Sequence, residues 1–165
     1  MIEKAKRTNK NAYIVSLMLF LLSLLSFAYS TMKTGSESLL GFAGFLFMLI
    51  FFFFSKRYIG NRYAYCLTPT DEMYLKNDFT VVRSFGKSET AVCNISLYDV
   101  TDVVLTKNGK ELLKALKGIK RVFDYSSDFL FKRAVIIKLS ENGTETAVII
   151  QCSDAFFSEL KLRVQ

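Results

Sequence analysis

The sequence predicts an α+β chain in two parts. A transmembrane helical hairpin near the N-terminus precedes a strongly bent antiparallel sheet or partial barrel, which a C-terminal helix caps. Three observations predict this. Two long apolar runs, 12–32 and 39–54, contain no charged residue. From Arg62 onward the apolar residues recur with period two. The final segment returns to helical spacing, with Phe156, Leu160 and Val164 at i, i+4 and i+8.

The first apolar run, Ala12–Met32, has 21 residues. At about 1.5 Å per residue it reaches roughly 31 Å, enough to cross a bilayer core. The second, Leu39–Phe54, has 16 residues and reaches only about 24 Å on the same rise. Extension of the helix through Ser36–Ser38, local thinning or snorkelling flanks make up the deficit. Phe51–Phe54 stops abruptly before Lys56-Arg57, the pattern of a membrane stop rather than of a buried soluble helix. Neither run holds an Asp, Glu, Lys, Arg or His, so a proton relay, ion path or transport site has no candidate residue. Ser16, Ser23 and Ser30 repeat every seven residues on the first helix, and Gly41 and Gly44 form a small patch on the second. Small residues of this kind let helix backbones approach, within a hairpin or between copies of the chain.

Lys and Arg in the flanks set the orientation. Residues 1–11 carry four, the connecting turn only Lys33, and the segment after the second helix Lys56, Arg57 and Arg62. The expected organisation is a basic cytoplasmic tail (1–11), a multi-pass hairpin (12–57, with helices 12–32 and 38–54) and a cytoplasmic domain (58–165), all at the plasma membrane. Ala28-Tyr29-Ser30 also resembles a signal-peptidase site, but the apolar run before it is longer than a signal peptide requires.

Net charge is +7. That suits a protein beside anionic lipid and is too mild to demand nucleic acid. Cys66, Cys93 and Cys152 form no CxxC pair, and the chain has no histidine. Neither a zinc site, a disulfide framework nor any cofactor is expected, and no nucleophile has a histidine to activate it.

In the domain, strands are expected at Tyr63–Thr68, closed by Pro69, at Met73–Leu75, and at Phe79–Phe85 after Asn77-Asp78. Further strands follow the Gly86-Lys87 turn: Ala91–Leu97, Val100–Thr106, Ile119–Tyr125, Ala134–Leu139 and Thr146–Gln151. Asn142-Gly143 joins the last two as a hairpin. Ser153 or Asp154 caps the closing helix, whose Phe156, Phe157 and Leu160 plug the opening of the sheet. Asp99, Asp102, Asp124 and Asp128 occupy strand ends and turns, which explains them without acid–base chemistry.

Tyr65-Cys66-Leu67-Thr68, Val81-Val82, Ile95–Val103 and Ser153–Leu160 together resemble the bacterial pleckstrin-homology-like (PH-like) domains. The similarity covers residues 60–165 and extends to small two-helix membrane proteins of Gram-positive anaerobes. Lys107–Gly118 and Val122–Ser127 depart from the pattern. The resemblance implies a PH-like fold behind transmembrane helices and a membrane-associated scaffold role, and it carries over no catalytic residues.

The most unusual segment is Lys107–Arg121, with Lys107, Lys110, Lys114, Lys117, Lys120 and Arg121 against Glu111 alone. Leu112, Leu113, Leu116 and Ile119 fall on one helical side, and Gly109 and Gly118 bound the helix. One pattern serves two roles: a helix lying on the sheet with its lysines solvated, or a surface docking on anionic headgroups. The expected function is a non-catalytic, membrane-anchored interaction or scaffold module that binds a protein partner or its own copy. The alternative is an anionic-lipid-sensing domain acting through Lys110, Lys114, Lys117, Lys120 and Arg121.

Overall fold

The computed structural model describes residues 1–5, 10–32, 37–68, 78–127, 133–141 and 143–164. The expected strand at 73–75, Pro69, Asp128 and Asn142 lie outside them. The chain divides into two compact units, Thr8–Asn61 and a second formed by Met1–Arg7 with Arg62–Gln165.

The first unit is a helical hairpin. Helix α1 spans Lys10–Met32 and α2 spans Glu37–Ser55. One turn of π-helix, Lys56–Gly60, continues α2, so the apolar helical stretch runs over the 22 residues Leu39–Gly60. That is roughly 33 Å at about 1.5 Å per residue. The deficit inferred from the apolar run alone therefore disappears: Lys56 and Arg57 end the apolar composition without ending the helical backbone. Phe54 and Tyr58 pack at 4.8 Å between ring centroids, and the Arg57 guanidinium lies 5.4 Å from the Tyr58 ring centre. Both helices are long and apolar enough to cross a membrane, and only 17% and 6% of their most apolar stretches are buried.

The second unit is α+β, built from two four-stranded sheets. One has the order β1-β2-β3-β4, from Ile2–Lys4, Asn61–Leu67, Asp78–Phe85 and Ser88–Ser96. The other has the order β5-β7-β8-β6, from Val100–Thr106 (β5), Arg121–Asp124 (β6), Ala134–Glu141 (β7) and Thr144–Ile150 (β8). Gly86 and Gly143 take φ of +62° and +74° in the two hairpin turns, a conformation glycine reaches without a Cβ clash. Helix α3 (Gly109–Ala115) joins β5 to β6, and α4 (Asp154–Val164) ends the chain.

Two expectations are corrected. The sheets are not wholly antiparallel, because β6 runs parallel to β8. Since β5 and β8 are both antiparallel to β7, β5 and β6 point the same way at opposite edges of the sheet. A hairpin cannot join such strands. The connection must cross a face of the sheet, and α3 is that crossover. The second correction concerns residues 1–11, which are not a continuous tail. Ile2–Lys4 is an edge strand antiparallel to β2, in the register Ile2↔Cys66, Glu3↔Tyr65, Lys4↔Ala64. The Met1 α-ammonium donates to the Leu67 carbonyl at 2.7 Å, Leu67 N–H to Met1 O at 2.8 Å, and Ala5 N–H to Tyr63 O at 2.9 Å.

Between the sheets and α4 lies one core of Tyr65, Leu67, Phe79, Val81, Ile137, Ile150, Phe156 and Leu160 with their neighbours. Phe156 fits edge-on against Phe79, with ring centroids 6.4 Å apart, and lies 6.3 Å from Tyr65. The Tyr65 hydroxyl donates to the Tyr125 carbonyl at 2.9 Å and accepts from Gln151 N–H at 3.2 Å, so the one polar atom this ring brings into the core is satisfied. Burial holds its phenol well above the ordinary tyrosine range.

Helix α4 is capped from both ends of the chain. The Ser153 hydroxyl accepts from Phe156 N–H at 3.2 Å. The Glu3 carboxylate in turn accepts from Ser153 N–H at 2.7 Å and from its hydroxyl at 2.9 Å. Glu3→Ala is expected to cost about 1 kcal/mol, the usual worth of a helix-capping contact. Deletion of residues 2–5 should cost more, since the ladder to β2 is lost with it. Denaturant melts of the full chain followed by near-UV circular dichroism check this; a free tail would leave both curves where they were.

Candidate functional site

The basic segment 107–121 carries Lys107, Lys110, Lys114, Lys117, Lys120 and Arg121 against Glu111 alone, and its structure follows from local capping. The Asn108 side chain accepts from Glu111 N–H at 2.9 Å, while the Glu111 carboxylate accepts from Lys107 N–H at 2.8 Å and from the Asn108 amide at 3.0 Å. This reciprocal arrangement satisfies the first turn of α3. Gly118, at φ +90°, turns the chain after the helix. Lys120 N–H then donates to Glu145 O at 3.2 Å and leads Arg121 into β6.

Helix α3 lies on the face of the β5-β7-β8-β6 sheet opposite the main core. Leu112 packs with Ala134, Ile136, Ala147 and Ile149, and Ala115, Leu116 and Ile119 join from the side. The four apolar residues expected on one side of the helix therefore separate. Leu112, Leu116 and Ile119 turn toward the sheet, whereas Leu113 is 73% exposed. Lys110, Lys114, Lys117, Lys120 and Arg121 are all exposed. The sequence carried a signal for this second core. Ala134–Ile137 and Ala147–Ile150 are uninterrupted apolar runs, which mark strands buried on both faces.

Two clefts adjoin α3, with Ala115 and Lys138 lining both. One of about 270 Å³ is lined by Lys117, Lys138, Ser140 and Glu145 among others. One of about 350 Å³ is lined by Val104, Thr106, Glu111 and Lys114, with Lys138 again. The Lys138 ammonium lies 3.6 Å from the Asp102 carboxylate.

Several other ionisable groups take part in structural contacts. Asp124 accepts from the Ser126 N–H at 2.8 Å and from its hydroxyl at 2.6 Å, closing a turn after β6. Arg133 bonds the Asp154 carboxylate and holds it below the usual carboxylate range. The three cysteines are unpaired thiols. Burial, helped by the Glu3 carboxylate, pushes the Cys152 thiol up to about 12, and burial raises Cys93 as well. Among the described residues no group of three or more His, Cys, Asp and Glu side chains is placed to hold a metal ion.

In the hairpin unit, the small residues lie between α1 and α2. The Ser23 hydroxyl donates to the Gly44 carbonyl at 3.0 Å, and the Ser16 hydroxyl lies 2.7 Å from that of Ser55. A Cβ at Gly41 would stand 3.3 Å from the Ser30 hydroxyl oxygen, and one at Gly44 would stand 3.2 Å from Ser26 Cβ. All five small residues thus face the partner helix of the same chain.

In comparison with known proteins, the chain matches no family model, no curated protein and no solved structure.

Two outcomes follow from these contacts. Gly44→Val places atoms inside the 3.2 Å approach to Ser26 and is expected to part the helices. Disulfide trapping between cysteines introduced at Phe20 and Phe51, whose rings are 5.4 Å apart, should fall sharply in a background lacking the native thiols. For Cys152, the folded thiol sits near 12 against an ordinary value of 9.0. The stability linked to it is therefore complete below the lower value and is lost as pH rises between the two. Cys152→Ala should flatten this alkaline decline, measured by denaturant melts at about pH 8 and about pH 10.

Proposed function

We propose that the chain is a membrane-anchored, non-catalytic interaction module: a two-helix transmembrane hairpin at the plasma membrane carrying a PH-like cytoplasmic domain that serves as a scaffold for a protein partner or a second copy of itself. The observation that carries this reading is the exposed apolar surface of α1 and α2. Leu25, Phe52 and Phe53 are each more than half exposed, although a helix of comparable composition in a soluble protein would bury such side chains. Hydrocarbon is the solvent in which that surface costs nothing.

The pairing of β1 with β2 supports the topology independently of charge. A chain whose first strand belongs to the same sheet as the strand following α2 has left and re-entered one compartment, which requires an even number of crossings. The basic flanks assign that compartment to the cytoplasm. Two sheets around one core, closed by a C-terminal helix whose Phe156 and Leu160 are fully buried, support a PH-like architecture.

The non-catalytic reading rests on what the ionisable groups do. Glu3 and Glu111 cap helices, Asp102 pairs with Lys138, and Asp124 closes a turn. Cys152, held near 12, stays a thiol and a poor nucleophile.

Single cysteines introduced in a background lacking native thiols test the topology in intact cells. Positions 2 and 113 are expected to resist a membrane-impermeant maleimide until the cells are opened, while a cysteine in place of Thr34 reacts from outside. Labelling of position 2 and position 113 from opposite sides would end the proposal.

A further inference from the structure

We infer that the outward face of α3, centred on Leu113, is a docking surface for an anionic lipid bilayer. The inference deepens the anchored-module reading and rests on it, naming the partner of one surface of the domain. Lys110, Leu113 and Lys114 are spaced i, i+3 and i+4 on one side of α3, and the exposed Lys117 follows in the turn just past its end. They lie away from Leu112 and Leu116, which meet the sheet. Leu113 is thus an exposed leucine among three exposed lysines. A second apolar group accompanies it. Val122, 45% exposed, is paired in register with Ala147, so it emerges from the same side of the sheet that α3 covers.

Charge complementarity selects the occupant. Segment 107–121 carries six basic residues and one acid, and that acid, Glu111, is engaged in the cap. Asp102, on the same side of the sheet, is paired with Lys138; among the described residues Glu145 and Asp124 are the other acids on that side. Most of these cations are lysines. Lysine is depleted at protein–protein interfaces, where aromatic and Arg anchors dominate. Mobile ammonium groups around a small apolar tip suit headgroups that have no fixed geometry. The asparagine cap and the underlying sheet hold α3 in place before contact, so little ordering is left to do on binding. Anchoring by the hairpin makes the contact intramolecular, which favours even a weak surface.

The chain contains no tryptophan, so Leu113→Trp introduces a single indole at an exposed position. The full-length variant is reconstituted in phosphatidylcholine vesicles with and without phosphatidylserine, and quenching by spin-labelled lipid is recorded. The expected result is blue-shifted, lipid-quenched emission in the anionic vesicles only, abolished by high salt. Each further substitution among Lys110→Gln, Lys114→Gln and Lys117→Gln should lower the contacting population by roughly fivefold. Tyr98→Trp, at a position 79% exposed on the turn between β4 and β5, serves as the reference and should stay unquenched. Equal emission at position 113 in both vesicle types, or equal quenching at position 98, overturns the inference. So does a blue shift that follows protein density instead of anionic lipid, which would assign the face to a second copy. Alkaline carbonate extraction separates the premises: a chain that stays in the membrane with a silent indole sinks the lipid contact alone, whereas a chain that is extracted sinks the anchoring and the inference with it.

Discussion

Strands β7 and β8 are apolar on both faces, and a sheet of that kind must be covered twice. On one side Val135, Ile137, Val148 and Ile150 meet the other sheet and α4. On the other, Ala134, Ile136, Ala147 and Ile149 would lie in water without α3. The parallel alignment of β6 with β8 meets the same need, because a chain joining β5 to β6 has to pass over that second face. A short helix and the turn after it, with Leu112, Ala115, Leu116 and Ile119 facing inward, cover the sheet and make the connection at once. The lysines are what remains on its outer side. The most charged segment of the domain is therefore also a structural necessity, and its outward face is free to vary in composition without disturbing the fold.

The N-terminal strand plays a comparable role at the other sheet. Its apolar residue, Ile2, is 72% exposed, so burial does not hold β1 in place. Backbone pairing to β2, the α-ammonium on Leu67 and the Glu3 carboxylate on Ser153 do so instead. Residues 150 positions apart are thereby joined, and the start of the chain is fastened to the start of its last helix.

Much of this was legible in the residues. The apolar run 12–32 and α1 nearly coincide, β5 has the bounds its β-branched residues suggested, and the glycines at 86 and 143 mark hairpin turns. These features are local: hydropathy, alternation and the conformational freedom of glycine act over a few neighbouring residues. Other features had no local signal. A three-residue strand has no period to detect, and Ile2 outside the core gives burial nothing to mark. The helical backbone beyond Phe54 was hidden because Lys56 and Arg57 end hydropathy while leaving the i→i+5 hydrogen bonding of one further turn intact. Parallel alignment of β6 was equally invisible, since alternation specifies a strand but not its direction.

By itself the sequence determined that this chain has two membrane-length apolar helices, a β-rich domain with an amphipathic closing helix, and one strongly basic segment, because each is written in the spacing of neighbouring side chains. Only the tertiary structure decided which face of that segment is used. Leu112 and Leu113 are adjacent and chemically identical, and a helical wheel places both on the apolar side. The 100° turn between them, read against the position of β7 and β8, sends one into a second core and leaves the other in solvent.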